Sequence, residues 1–234
     1  MQPSHMAENT SASALAKELF TVGAHFGYSR TRRHPSVAKH LFATKNKVDI
    51  IDIEQTETML TTTEAFMKSL GEKGKTVIMI GTKPEAKEAV RASAEGLGLP
   101  FVTSRWVGGI LTNFPEIKKR LARLEELRAA KISGDLQKKY TKKEQLLIAR
   151  EVAKMEELFS GIVSLKGTPD ALLIVDPKKE EIAVREAARL GIPTIAVAST
   201  DCDITAVTYP VLANDSSRAS IDFIVKRLAD AYKH

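Results

Sequence analysis

The sequence predicts an α/β protein built on an open, mainly parallel sheet with helices on both faces. Three observations carry that expectation. The runs Thr76–Ile80 (TVIMI), Ala171–Val175 (ALLIV) and Thr194–Ala198 (TIAVA) are apolar without alternation, the pattern of strands covered by helices on both sides. Amphipathic stretches follow two of them, Pro84–Glu95 and Lys179–Leu190, so strands alternate with helices. Glycine and proline mark the joins at Gly81, Gly96–Pro100 and Gly191–Pro193.

Taken in order, residues 1–13 are polar and small and predict a disordered start, with neither the apolar centre of a secretory signal nor the arginines of a transit peptide. Ala12–Val22 predicts a short helix with Leu15, Leu19 and Val22 on one face. His25–Lys47 contains Gly27 and Pro35 and predicts mostly loop. Val48–Ile53 is a strand candidate. Gln55–Leu70 is a helix with Met59, Leu60, Ala65 and Phe66 among its inward positions, closed by a turn at Gly71–Gly74. Phe101–Thr103 and Tyr209–Leu212 are short strands, and Ser216–Tyr232 is a helix with Ile221, Ile224, Val225 and Leu228 on one side.

The alternation stops once, between Pro115 and Phe159. Ile117, Leu121, Leu124 and Leu127 lie at helical spacing, and the pattern breaks at Ser133 and Gly134. Ile148, Val152, Met155, Phe159 and Ile162 then recur at the 3.5-residue period of a coiled coil. The economical reading is an antiparallel coiled-coil helical hairpin over 113–161, inserted into an α/β domain formed by 14–112 and 162–234.

Composition narrows the function. No stretch approaches the ~18 apolar residues that would span a bilayer, so a membrane partner is not expected. Cys202 is the only cysteine, which excludes an intramolecular disulfide and a cysteine-based zinc site and fits a reducing cytoplasm. The formal net charge of +6 is localised. His25–Lys47 contains Arg30, Arg32, Arg33, Lys39, Lys45 and Lys47 and no acid, while the rest of the chain carries equal numbers of acids and bases. Concentrated positive charge argues for a polyanionic partner. His25, Phe26, Tyr28, His34 and Phe42 add flat faces on which unpaired bases could stack, beside the alternative that Phe26 and Phe42 belong to the core.

Other constellations have competing readings. In Thr103–Phe114 (TSRWVGGILTNF), Trp106 would plug the base of the hairpin and leave Arg105 to phosphate, with Thr112 or Asn113 as helix N-cap. Asp176, Asp201 and Asp203 follow buried strands, where ligands of open α/β sheets bind, and could hold Mg²⁺ in an enzyme. They are equally ordinary turn and cap residues, and no nucleophile or phosphate loop accompanies them. His25, His34 and His40 match no standard zinc spacing. No metal or cofactor is therefore expected.

Several of these segments carry a family pattern. GAHFGYSRTRRHPSVAKHLFATKNKVDIIDIEQT, VIMIGTKPEAKEAV, SRWVGGILTNFPEIKKRLARLEEL and TPDALLIVDPKKEEIAVREAARLGIPTIAVASTDCD occur in one order across residues 14–232. Together they resemble the bacterial-type small-subunit ribosomal protein S2 family, with R-W-x-G-G-x-L-T-N-F the most specific element. Tyr28 stands where that family usually has histidine, and a proline usual after Asp203 is missing. The resemblance implies a flavodoxin-like three-layer α/β/α fold with a coiled-coil hairpin and no enzymatic activity or small-molecule substrate. It implies a place on the cytoplasmic ribosome, contact with 16S rRNA through the basic segment and the hairpin, and support for docking of protein S1. It adds Arg105 and Asn113 to the six cations as expected RNA contacts.

Overall fold

The computed structural model describes residues 13–134 and 140–233. Of the expected disordered start only Ser13 is described; the rest lies outside the described residues. Ser13 caps the first helix, α1 (Ala14–Thr21), its hydroxyl accepting from the Ala16 amide at 3.0 Å. There follow β1 (Phe26–Ser29), β2 (Leu41–Lys45), β3 (Val48–Ile51), α2 (Ile53–Glu72), β4 (Val77–Ile80), α3 (Lys87–Leu97) and β5 (Phe101–Val102). After them come α4 (Phe114–Ile132), α5 (Lys142–Phe159), β6 (Ala171–Val175), α6 (Glu181–Leu190), β7 (Thr194–Ala198), β8 (Tyr209–Leu212) and α7 (Arg218–Lys233).

The main sheet has the order β5-β4-β6-β7-β8, and every neighbouring pair is parallel. This is the flavodoxin-like arrangement of a doubly wound sheet. Continuous apolar strands are needed because both faces are covered, and the alternating residues separate into two cores. Val77, Met79, Leu173, Val175, Ile195 and Val197 pack with residues of α1, α2, α3 and α7. Ile78, Ile80, Leu172, Ile174 and Ala196 face the other way, onto Ala183, Val184 and Ala187 of α6 and the roots of α4 and α5. The three layers expected from the sequence are present.

Strand and helix ends follow local chemistry. Asp52 stops the predicted strand two residues early, because its carboxylate accepts from the Glu54 amide and caps α2. The helix α3 begins three residues after Pro84, and α3 and α6 each end on a left-handed glycine, Gly98 and Gly191. Gly71 lies inside α2 rather than in a turn, and a Cβ there would collide with the Tyr232 carbonyl, so α2 and α7 approach closely at this point. On α2 the buried residues are Thr56, Leu60, Thr63, Met67 and Leu70, whereas Ala65 is exposed.

The helices α4 and α5 pack through Leu124, Leu127 and Val152, with Ile148 and Met155 at the margin, and Arg128 pairs with Glu156 at 2.9 Å. Nearer the sheet, Ile117 and Leu121 of α4 join Phe159 and Ile162 in the second core. Thr141 and Glu144 form a reciprocal capping box at the start of α5.

Two substitutions separate core from surface. Leu173→Ala, at a fully buried site in the central strand, should lower unfolding stability by about 2–5 kcal/mol in urea titrations. Ala65→Gln should change it by less than about 0.5 kcal/mol.

Candidate nucleic-acid interface

The basic window is not mostly loop. It supplies β1 and β2, which pair with β3 just beyond it in the antiparallel sheet β1-β3-β2, with short 3₁₀ helices at Arg30–Arg32 and Pro35–His40. Asn46 and Lys47, with φ of 51° and 66°, form the two-residue loop between the paired residues Lys45 and Val48, the conformation that matches the twist of a hairpin. Apolar alternation does not announce β2 because four of its five residues are exposed.

Folding also supplies the acids that the window lacks. The Arg33 guanidinium donates to Asp49 Oδ2 at 2.7 Å and to Thr44 Oγ1 at 2.7 Å, and a second nitrogen pairs with Asp49 Oδ1. Asp49 is fully buried, and its hydrogen bond from Arg33 holds its carboxyl below the ordinary range although burial opposes this. Arg33 is thus a structural cation, half-buried within the module. Arg32 donates to Asp201 Oδ2 at 2.9 Å and lies 4.2 Å over the Tyr28 ring, with Lys178 on the same carboxylate oxygen at 3.1 Å. Arg30, Lys39, Lys45 and Lys47 are exposed and make no ion pair among the described residues. Phe26 and Phe42 are 48% and 79% exposed, so neither is a core residue. His25 is buried and stacked on Phe20 at 4.2 Å; desolvation lowers its pKa.

The module sits on the carboxyl ends of the parallel strands. The Tyr28 amide donates to Thr200 Oγ1 at 2.8 Å and the His34 amide to the Thr200 carbonyl at 2.8 Å. Asn214 donates to the carbonyls of Gly23 and Ala24. A Cβ on Gly27 would overlap the Thr200 side chain, which explains the glycine. Beneath this seam Lys83 Nζ lies 2.7 Å from Asp176 Oδ2 and 2.7 Å from Asp215 Oδ2. Burial alone would lower the pKa of Lys83, but the two carboxylates outweigh it and hold the amine charged. The Tyr28 hydroxyl accepts from Lys83 Nζ at 3.4 Å and from Ser216 Oγ at 2.7 Å, so the phenol ties the module to the buried lysine.

The acids considered for Mg²⁺ are divided among other tasks. Asp176 pairs with Lys83, Asp201 with Arg32 and Lys178, and exposed Asp203 accepts from Thr205. The one metal-sized group among the described residues is instead Asp176, Cys202 and Asp215, and the Lys83 amine already bridges its two carboxylates. His34 and His40 bond Ser36 and Gln55, apart from His25.

Arg105 and Asn113 are exposed in the segment between β5 and α4. Trp106 is buried in the second core, as expected. Asn113 stands at the N-cap of α4 but makes no side-chain cap bond. The amides of this segment converge instead on Glu186 of α6: Gly109 donates to Oε1 at 2.7 Å, and Leu111 and Thr112 to Oε2 at 3.0 and 3.2 Å. Lys83, Asp215 and Glu186 are residues that sequence reasoning missed. Glu186 left a signal: it lies three residues after Ala183 on the buried face of its helix.

Lys83→Met should cost about 3–5 kcal/mol of stability by leaving buried carboxylates unpaired. Desolvation raises the Asp215 carboxyl above its usual pKa even beside Lys83, so the folded variant binds a proton there that the unfolded chain has released. Stability of the variant should therefore recover as pH falls from neutral toward that raised pKa. Denaturant midpoints measured between about pH 7 and 5 check the sign, and a midpoint that falls with pH would contradict it.

Comparison with known proteins agrees with this architecture. A family model described as ribosomal protein S2 matches residues 19–234. The small ribosomal subunit protein uS2 of Thermus thermophilus is 43% identical over 214 residues, 92% of this chain and 83% of that protein. The proteins of the same name from Coprothermobacter proteolyticus and Corynebacterium diphtheriae are 39% and 40% identical over 220 residues, covering 94% of this chain and 82% and 83% of theirs. With the parallel sheet, the basic module and these matches in place, the chain belongs to the ribosomal protein S2 family, whose members are structural, non-enzymatic components of the small ribosomal subunit.

Proposed function

We propose that this chain is a structural constituent of the small ribosomal subunit in the cytoplasm, binding 16S rRNA through the β1-β3-β2 module and through an arm formed by residues 113–161. The observation that carries this reading is the set of exposed cations Arg30, Lys39, Lys45 and Lys47, without ion-pair partners among the described residues, on a folded platform. Cations held on a rigid surface recognise phosphate geometry and shape rather than a short sequence. Arg32, Arg105 and Asn113 are exposed as well and are the further contacts of this reading. Arg33 serves it indirectly, by neutralising Asp49.

The packed pair α4 and α5 supports the arm. We read it as an inserted coiled-coil hairpin with a basic excess in its sequence, 12 basic against 8 acidic residues between Pro115 and Ser160. Support for S1 docking follows from the family resemblance, and exposed Phe26 and Phe42 leave apolar surface beside the cations for a protein neighbour.

Replacing Arg30, Lys45 and Lys47 together by alanine should weaken binding to small-subunit rRNA. It should also flatten the plot of log affinity against log salt by roughly 0.7–0.9 per lost phosphate contact, with the fold intact. Unchanged affinity and slope, measured by filter binding across a salt series, would count against the module as the interface. Arg33→Ala should instead lower thermal stability, by uncovering Asp49. Subunits assembled without this chain should retain less S1 after gradient sedimentation; retention at the parental level would remove the docking role.

A further inference from the structure

We infer that Glu186 is the positioning residue that sets the direction in which α4 and α5 leave the sheet. Its carboxylate is buried, and among the described residues no cation pairs with it. The charge is met by dipoles supplied by one short segment. Oε1 accepts from the Gly109 amide at 2.7 Å and from Trp106 Nε1 at 3.4 Å, while Oε2 accepts from the amides of Leu111 and Thr112 at 3.0 and 3.2 Å and from Thr112 Oγ1 at 3.3 Å. A carboxylate gathering successive amides is a strong, directional anchor.

The donors span the residues immediately before Phe114, where α4 begins. Asn113, at the N-cap, contributes no side-chain bond of its own, and its amide closes the turn on the Gly109 carbonyl at 2.8 Å. Gly109 has φ +95°, which a larger residue adopts only under strain, so the turn is built to present these amides. Ile117, Leu121, Phe159 and Ile162 also root the helices in the second core, but apolar contact is non-directional. The carboxylate supplies an angular constraint that the apolar contacts lack. Only the consequence for RNA rests on the proposed function; the geometric claim does not.

The test uses the full chain with spin labels at Lys68→Cys on α2 and Lys131→Cys near the end of α4, both exposed sites. Cys202 is buried and its thiol pKa is pushed up to about 12, so it stays unlabelled. The interlabel distance distribution, narrow in the parent, should broaden in Glu186→Ala and to a lesser extent in Glu186→Gln, which keeps one acceptor oxygen. Amide exchange at Gly109, Leu111 and Thr112 should accelerate at least about tenfold as their acceptor is lost, with Leu173 in the central strand unchanged. Emission of Trp106, the sole tryptophan, should shift to the red. If the alanine variant fails to fold, the glutamine variant decides. An unaltered distance distribution in a folded variant overturns the inference, whether or not the amides exchange faster. Binding to rRNA then separates the two claims. Loss of affinity in Glu186→Ala comparable with that of Lys142→Ala/Lys143→Ala/Arg150→Ala is the expected result. If the triple variant binds as the parent does, the arm's RNA role fails, while the distance distribution still decides the role of Glu186.

Discussion

Lys83, buried between Asp176 and Asp215 at the carboxyl ends of parallel strands, is the contact around which this molecule is arranged. In doubly wound sheets that edge is where a ligand usually sits, and the strand-end acids would serve a cation there. Here the protein carries its own cation, tethered from the end of β4. Asp176 adopts φ of 64°, a left-handed conformation that costs energy for a residue with a side chain, and its ion pair with Lys83 offsets part of that cost. Placing the ammonium fixes two carboxylates and, through the Tyr28 hydroxyl, the first strand of the small sheet.

The edge that enzymes of this architecture use for chemistry thus becomes a seat for a second sheet. The hydrogen bonds of Thr200 and Asn214 to the module and the Arg32–Asp201 pair surround the seam. Electrostatics then sorts the six cations of one segment into two classes. Arg32 and Arg33 neutralise acids brought under them from Asp201 and Asp49 and stiffen the platform. Arg30, Lys39, Lys45 and Lys47 remain on its outer surface. A flexible basic loop would have to lose conformational freedom on binding RNA, whereas a folded module meets much of that cost in advance.

The core was legible because parallel strands covered on both faces need runs such as ALLIV and TIAVA, and those two strands occur at the expected residues. The module was not, because β1 and β2 are short and neither contains a fully buried residue; no buried face imposes a period of two. Composition located the charge but could not show that Arg33 is consumed by Asp49, a pairing that exists only once β3 lies beside β2. Lys83 was hidden for a similar reason. A lysine in GTKPEAKEA reads as a solvated helix start until the ends of β6 and β8 bring two acids around it. Glu186 was the more readable omission, an acid on the face of α6 that otherwise carries Ala183, Val184 and Ala187.

The most direct measurement of the central claim, a module seated on Lys83 that binds rRNA, is sedimentation with small subunits depleted of this protein. The parent chain should travel with the subunits in a sucrose gradient at moderate salt and leave them as salt rises. A Lys83→Met chain, folded but with a loosened module, should bind less under the same conditions. A parent chain that stays at the top of the gradient, or a Lys83→Met chain that binds as tightly as the parent, would contradict it.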